Sequence, residues 1–196
     1  MLVQRVQQQF IDSADVAYQC ADALGAAVDA AIGAILATIT GGGKVLVCGV
    51  GSGSALAQLM VNHLLHGLER DRPALPALLI QADAARPDAL ARNIAALALS
   101  DDMLLLLGET GTAAGLVELV QTAHERDMTV LALTGAGGGP LARALRDTDV
   151  QVCVPHEVPA RILEVHHLVL HCICDGVDAQ LLGLPDALVN EQESSS

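Results

Sequence analysis

Five short apolar runs, each followed by a segment of helical period, constrain this chain more than any other feature. They are Lys44–Cys48, Ala77–Ile80, Met103–Leu107, Thr129–Leu133 and Val150–Val154. Runs such as Met103–Leu107 show no polar alternation, so they read as strands buried on both faces. Such strands, separated by helices, form a parallel sheet covered on both sides. Helical spacing occupies Ser54–His66, Pro87–Leu99, Thr112–Arg126 and Pro159–Leu182, with a short helix from Pro140. Before the sheet, Val3, Val6, Phe10, Ala14 and Ala17 mark a helix over about Val3–Leu24. A second helix over Ala27–Ile39 stops before Gly41, Gly42 and Gly43. The expected fold class is α/β. It is a three-layer αβα sandwich around a five-stranded parallel sheet, with two N-terminal helices and a long C-terminal helix. Residues 1–40 then form a helical segment packing on the core and a subunit interface, and residues 41–189 the sheet domain. Residues 190–196, polar and ending in three serines, read as a disordered tail.

Composition narrows the function. The 196 residues carry a net charge of −13, and Lys44 is the only lysine. A surface so acidic repels phosphate backbones and anionic lipid, so no direct nucleic-acid or membrane contact is expected. Hydrophobic residues make up 52% of the chain, yet no uninterrupted apolar stretch reaches the ~18 residues of a membrane span. Asp29, Gly33 and Thr38 break the most apolar run, Ala26–Ile39. The excess apolar surface therefore points to an oligomer. Phe10 and Tyr18 are the only aromatic residues besides histidine, too few for stacking platforms. The start MLVQRVQQQF lacks the apolar stretch of a signal peptide. Five scattered cysteines (Cys20, Cys48, Cys153, Cys172, Cys174) indicate neither a disulfide framework nor a zinc cage. Reduced thiols in the cytoplasm are expected.

Ligands of parallel sheets sit at the carboxyl ends of strands, here the loops Gly49–Ser54, Gly108–Thr112 and Gly135–Gly139. In the first, Gly51 and Gly53 let backbone approach an anion at a helix N-terminus, and Ser52 and Ser54 add hydroxyl donors. A tight turn with an N-cap serine explains the same residues equally well. In the second, Thr110, Gly111 and Thr112 have the chemistry of a phosphate cradle, but Glu109 opposes it. A carboxylate ~5 Å from a dianionic phosphate costs roughly 1–2 kcal/mol in water-like surroundings. A turn capped by Thr112 is the competing reading, and the slightly better one.

Several stretches together resemble one family. They are GGKVLVCG at 42–49, RPALPA at 72–77, MTVLALTG at 128–135, RILEVH at 161–166 and HCICD at 171–175. The chain resembles the SIS-domain (sugar isomerase) family in its phosphoheptose isomerase branch. That branch includes the DiaA proteins, which bind the replication initiator DnaA. The resemblance runs from the first helix to about Leu182 and implies a SIS fold, a homotetramer and sites built between subunits. It also implies conversion of sedoheptulose 7-phosphate to a heptose 7-phosphate, which needs a carbon base and an acid that relays a proton between oxygens. The family places a Glu on the helix after the first loop and a His on the last helix. Many members add zinc, through a His one turn before that Glu and a Gln on the last helix.

Carried onto this chain, the Glu position is His63 and the retained His is His171, the two catalytic candidates if the protein is active. The remaining zinc positions are Leu59 and Leu163, and a family Arg one turn past the base is Gly67. The first loop departs from Gly-Asn-Gly-Gly-Ser and the second from Ser-Thr-Ser-Gly-Asn-Ser. Between Ile80 and Ala98 the chain is shorter than the family pattern. The leading expectation is therefore a phosphosugar-binding scaffold with an eroded isomerase site, acting through a protein partner such as DnaA. The alternatives are a phosphoheptose isomerase using His63 and His171, and a module sensing another sugar phosphate. No cofactor is expected. Zinc on His63, His171 and His167, with His63 approaching across a subunit interface, is the competing reading. In the simpler one His171 is a remnant, His166 and His167 are interface or surface residues, and Glu164 and Asp175 make helix-surface or interface contacts.

Overall fold

The computed structural model describes residues 1–81 and 88–184. Its centre is one parallel sheet of β1 (Val45–Gly49), β2 (Ala77–Ile80), β3 (Met103–Leu107), β4 (Thr129–Gly135) and β5 (Val150–Val154) in the order β2-β1-β3-β4-β5. Every residue of β1 and β3 is buried, as expected of strands apolar on both faces. Val45, Met103 and Thr129 stand in line across β1, β3 and β4.

Helices α1 (Leu2–Thr40), α2 (Gly53–His66) and α6 (Pro159–Leu182) cover one face, over a core that includes Val47, Leu105, Leu133 and Ile173. Helices α3 (Ala89–Leu97), α4 (Leu116–His124) and α5 (Gly139–Ala144) cover the other, over Leu46, Leu104 and Val130. Strand order reverses direction at β1, so the crevice between β1 and β3 is the switch point where ligands of such sheets bind. The loops after β1 and β3 both open there.

The N-terminus differs from expectation. One helix, α1, replaces the two expected. The stripe Cys20, Leu24, Ala31, Ile35 and Thr38 stays buried through the expected break, with no Cβ contact or positive φ at Gly25 to interrupt it. The helix ends where Gly41 and Gly43 donate to Ala37 and Thr38 carbonyls and Gly42 takes φ +89°. Its first half is mostly exposed, Phe10 by 75% and Tyr18 by 85%. An 18-residue window of α1 has mean hydropathy 1.8, so by length and composition it could cross a membrane. Uninterrupted apolar runs do not reveal that. The helix nonetheless packs along α6 and β5.

Other boundaries shift less. The helix expected from Thr112 begins at Leu116, after Gly115 in a left-handed conformation. Strand β4 runs on to Gly135, and a 3-10 turn over Ala136–Gly138 leads into α5. The expected helix start at Pro87 and the tail 190–196 lie outside the described residues.

Gly135 ends β4 directly beneath α6. A Cβ there would lie 2.5–2.8 Å from three side-chain carbons of Ile162. Gly135→Ala is therefore expected to lower unfolding stability by about 1–3 kcal/mol, read by urea denaturation.

Candidate active site

At the first loop the turn is locked from within. Gly51 takes φ +57°, Gly53 N donates to Val50 O at 3.1 Å, and Ser54 N to Gly51 O at 3.3 Å. Ser52 is the N-cap of α2 but makes no side-chain cap bond, and Ser54 Oγ donates back to Gly49 O at 3.0 Å. A serine thus does stand at the N-cap, as the tight-turn reading expects, but without a side-chain cap bond, and Ser54 fastens the loop to β1. Beside it, Gly49, Ser54, Ala57, Gln58, Leu79, Ile80 and Gln81 line an open cleft of about 290 Å³.

The second loop is also self-bonded. The Thr110 and Thr112 hydroxyls pair at 2.6 Å, and Thr112 lies four residues before α4, so it caps no helix. Gly111 (φ +64°) packs against Gly138, and its carbonyl accepts from Leu141 N at 3.3 Å. Glu109 points away from Thr112. Its two carboxylate oxygens lie 3.9 Å from where a Cβ on Gly51 would stand. The carboxylate therefore spans the crevice and faces the loop after β1.

His63 on α2 and His171 on α6 meet within one chain, ring centroids 5.5 Å apart and planes at 69°. The expected approach across a subunit interface is thus replaced by an intramolecular one, because α2 and α6 share a face of the sheet. His167, one turn before His171, stands 4.5 Å from it by centroid, also edge to face. His63 Nε2 is buried with no hydrogen-bond partner. Burial, then the neighbouring His171 and His167, lower the His63 pKa below the ordinary imidazole value, against a smaller opposing pull from Asp178. A neutral imidazole with a free nitrogen is competent to accept a proton.

The zinc set of the family does not fit these residues. Leu59 and Leu163 offer hydrocarbon where donors are needed, and among the described residues no three His, Cys, Asp or Glu side chains are placed to hold a metal.

His166 is a core residue, contrary to the interface or surface role expected. It is fully buried and its Nε2 pairs with Thr134 O at 3.0 Å. His167 is exposed, and Glu164 accepts from Ser13 Oγ and Arg161 Nη1, both at 2.8 Å. Cys172 is exposed and Cys174 buried, on different sides of α6.

Residue reading missed the pair beneath the imidazoles. Arg72 bonds Asp178 with both side chains almost fully buried, and its guanidinium reaches the carbonyls of His63 at 2.9 Å and Leu64 at 2.8 Å. The available signal was Asp178 seven residues, or two helical turns, after His171.

Comparison with known proteins identifies the fold. The SIS-domain profile matches residues 9–135. A phosphoheptose isomerase of Methylibium petroleiphilum is 45% identical, over 95% of this chain and 98% of its own. One from an Azoarcus species is 37% identical, over 94% and 99%. The solved phosphoheptose isomerase of Francisella tularensis superimposes with TM-score 0.85 at 34% identity, covering 91% of this chain and 98% of that one. The Neisseria gonorrhoeae phosphoheptose isomerase gives 0.84 at 32%, covering 91% and 100%. The fold and crevice define a sugar-isomerase-type α/β protein. The chain belongs to the SIS-domain family, in its phosphoheptose isomerase branch. These relatives carry the enzyme's name, which shifts the balance from the partner-binding expectation to its alternative.

Glu109 provides a test of the crevice. Removing its charge in Glu109→Thr is expected to tighten binding of a sugar phosphate by about tenfold, measured by calorimetry, in line with a like-charge cost of roughly 1–2 kcal/mol.

Proposed function

We propose that this protein is a phosphoheptose isomerase, interconverting sedoheptulose 7-phosphate and D-glycero-D-manno-heptose 7-phosphate with His63 as base and His171 as acid. The observation that carries the reading is the meeting of these two imidazoles at 5.5 Å inside one chain, with His63 Nε2 buried and unpaired. The names of the relatives support it. In the reaction, His63 takes a proton from C1 of the ketose as electrons move toward the C2 carbonyl, giving a 1,2-enediol. The same proton returns to C2, while His171 transfers one between the two oxygens. Atoms balance without an oxidant or a metal. Of the loop residues Gly51, Ser52, Gly53, Ser54, Thr110, Gly111 and Thr112, Ser52 keeps a free hydroxyl for the phosphate end, while Gly53 N, the Ser54 N–H and hydroxyl and the Thr110–Thr112 hydroxyl pair are already engaged. Gly53 opens α2 ten residues, about 15 Å, before His63, so the loop that meets the imidazoles comes from a neighbouring subunit. The protein works as a homotetramer in the cytoplasm, and the exposed apolar side chains Val6, Phe10 and Tyr18 on the first half of α1 support the assembly.

A second reading is a phosphosugar-binding scaffold acting through a protein partner such as DnaA. Glu109 facing Gly51, with leucines at 59 and 163, favours it.

Purified protein is expected to turn over sedoheptulose 7-phosphate, and His63→Ala and His171→Ala each to lose about 10²–10⁴-fold in kcat. Because the free base is the active form and its pKa is lowered, activity holds at neutral pH and falls only on the acid side of the ordinary imidazole range. Thermal stabilisation by the sugar phosphate without turnover overturns the enzyme reading in favour of the scaffold.

A further inference from the structure

The last carbonyls of a helix lack intrahelical partners. At the end of α2 they belong to the turn that carries His63. There Gly67, in the left-handed region at φ +80°, turns the chain back and donates its N–H to His63 O at 2.8 Å. Five residues on, Arg72 returns beneath the same turn. Nη2 donates to His63 O at 2.9 Å, Nη1 to Leu64 O at 2.8 Å and Pro73 O at 3.1 Å, and Nε to Asp178 Oδ1. Arg72 therefore caps α2 with one side of its fork and grips α6 with the other.

Asp178 lies two turns after His171, on the same face of α6. The guanidinium thus ties the backbone of His63 to the helical face that presents His171. Elsewhere α2 and α6 meet through a weak hydrogen bond from Cys174 Sγ to Met60 Sδ at 3.7 Å and through the apolar core they share, contacts that set register only loosely. A planar fork with fixed donors sets it tightly. Stability alone does not call for ions here, since well-packed apolar residues commonly replace a buried pair without loss.

We infer that the Arg72–Asp178 pair holds His63 in register with His171, so that Arg72 and Asp178 are positioning residues of the imidazole pair. The functional consequence rests on the isomerase reading; the positional claim does not. Asp178 also acts on His63 through space, opposing the fall of its pKa.

The test compares the whole protein with Arg72→Met/Asp178→Leu, Arg72→Lys and Asp178→Asn. Thermal unfolding, the cross-relaxation between the His63 and His171 rings with labelled histidine, and steady-state kinetics on sedoheptulose 7-phosphate are measured. The double variant is expected to stay folded and lose the ring-to-ring signal. Its kcat falls about 100-fold with KM nearly unchanged, as displacement of reacting groups predicts. Arg72→Lys, keeping charge without the fork, recovers part of kcat. A folded double variant with the ring signal and kcat intact overturns the inference, because a merely structural pair would restore both with stability. Should the double variant not fold, Asp178→Asn is read in the same way. If wild-type protein shows no turnover, the isomerase reading fails, and the ring signal alone still decides the positional claim.

Discussion

Burial of β1, β3 and β4 on both faces is the constraint from which the rest follows. Strands such as Met103–Leu107 have no polar side to offer water, so helices must lie above and below them. Right-handed crossovers then send the chain first to β2 on one side of β1, then to β3, β4 and β5 on the other. That reversal opens a crevice between the loops after β1 and β3. It also places α2 and α6 on a common face, which is why His63 and His171 meet without a second subunit.

Polar anchors fix the ends of these elements. Asp102 accepts the backbone N–H of Lys44 at 2.9 Å and of Leu99 at 2.8 Å, joining the starts of β1 and β3. Burial alone would raise its pKa, but the Lys44 ammonium and these amides together hold it below the usual carboxylate value. Asp149 does the same for β4, accepting from Val130 N at 2.8 Å while pairing with His124. Buried ions of this kind add little net stability, yet removing one partner leaves a costly uncompensated charge. They specify register more than they strengthen the fold.

The five strands and α6 were legible because their signals are local. Pro159 opens α6 and Gly183 closes it, so the expected Pro159–Leu182 matches the helix end to end. Elements whose limits depend on distant contacts were not legible. The stretch between Leu24 and Ala27 reads as a break in α1, yet Leu24 and Ala31 are buried in the same core and carry the helix through. Thr112 has the chemistry of a cap, but Gly115 starts the helix, and the threonine hydroxyl is taken by Thr110. In the candidate site, His63 and His171 stood out through resemblance. The burial of His166 against Thr134 and the Arg72 fork depend on folding partners 32 and 106 residues away.

The replacement of a carboxylate by His63 makes physical sense beside Asp178. A carboxylate at this position would set a second negative charge within reach of the buried Asp178, where like charges are costly. A neutral imidazole accepts a proton equally well and carries no charge before it does so. Its surroundings suit that state: one ring nitrogen is sealed from water, and His167 and His171 disfavour a further proton. Leucine at 59 and 163 removes donors a metal would need and leaves hydrocarbon at those positions. Only Asp178 pulls the other way, and its charge is already engaged by Arg72. On the isomerase reading, then, the changes around position 63 are coupled. Loss of the metal positions and gain of an imidazole base together trade a charged site for one whose base is neutral at rest.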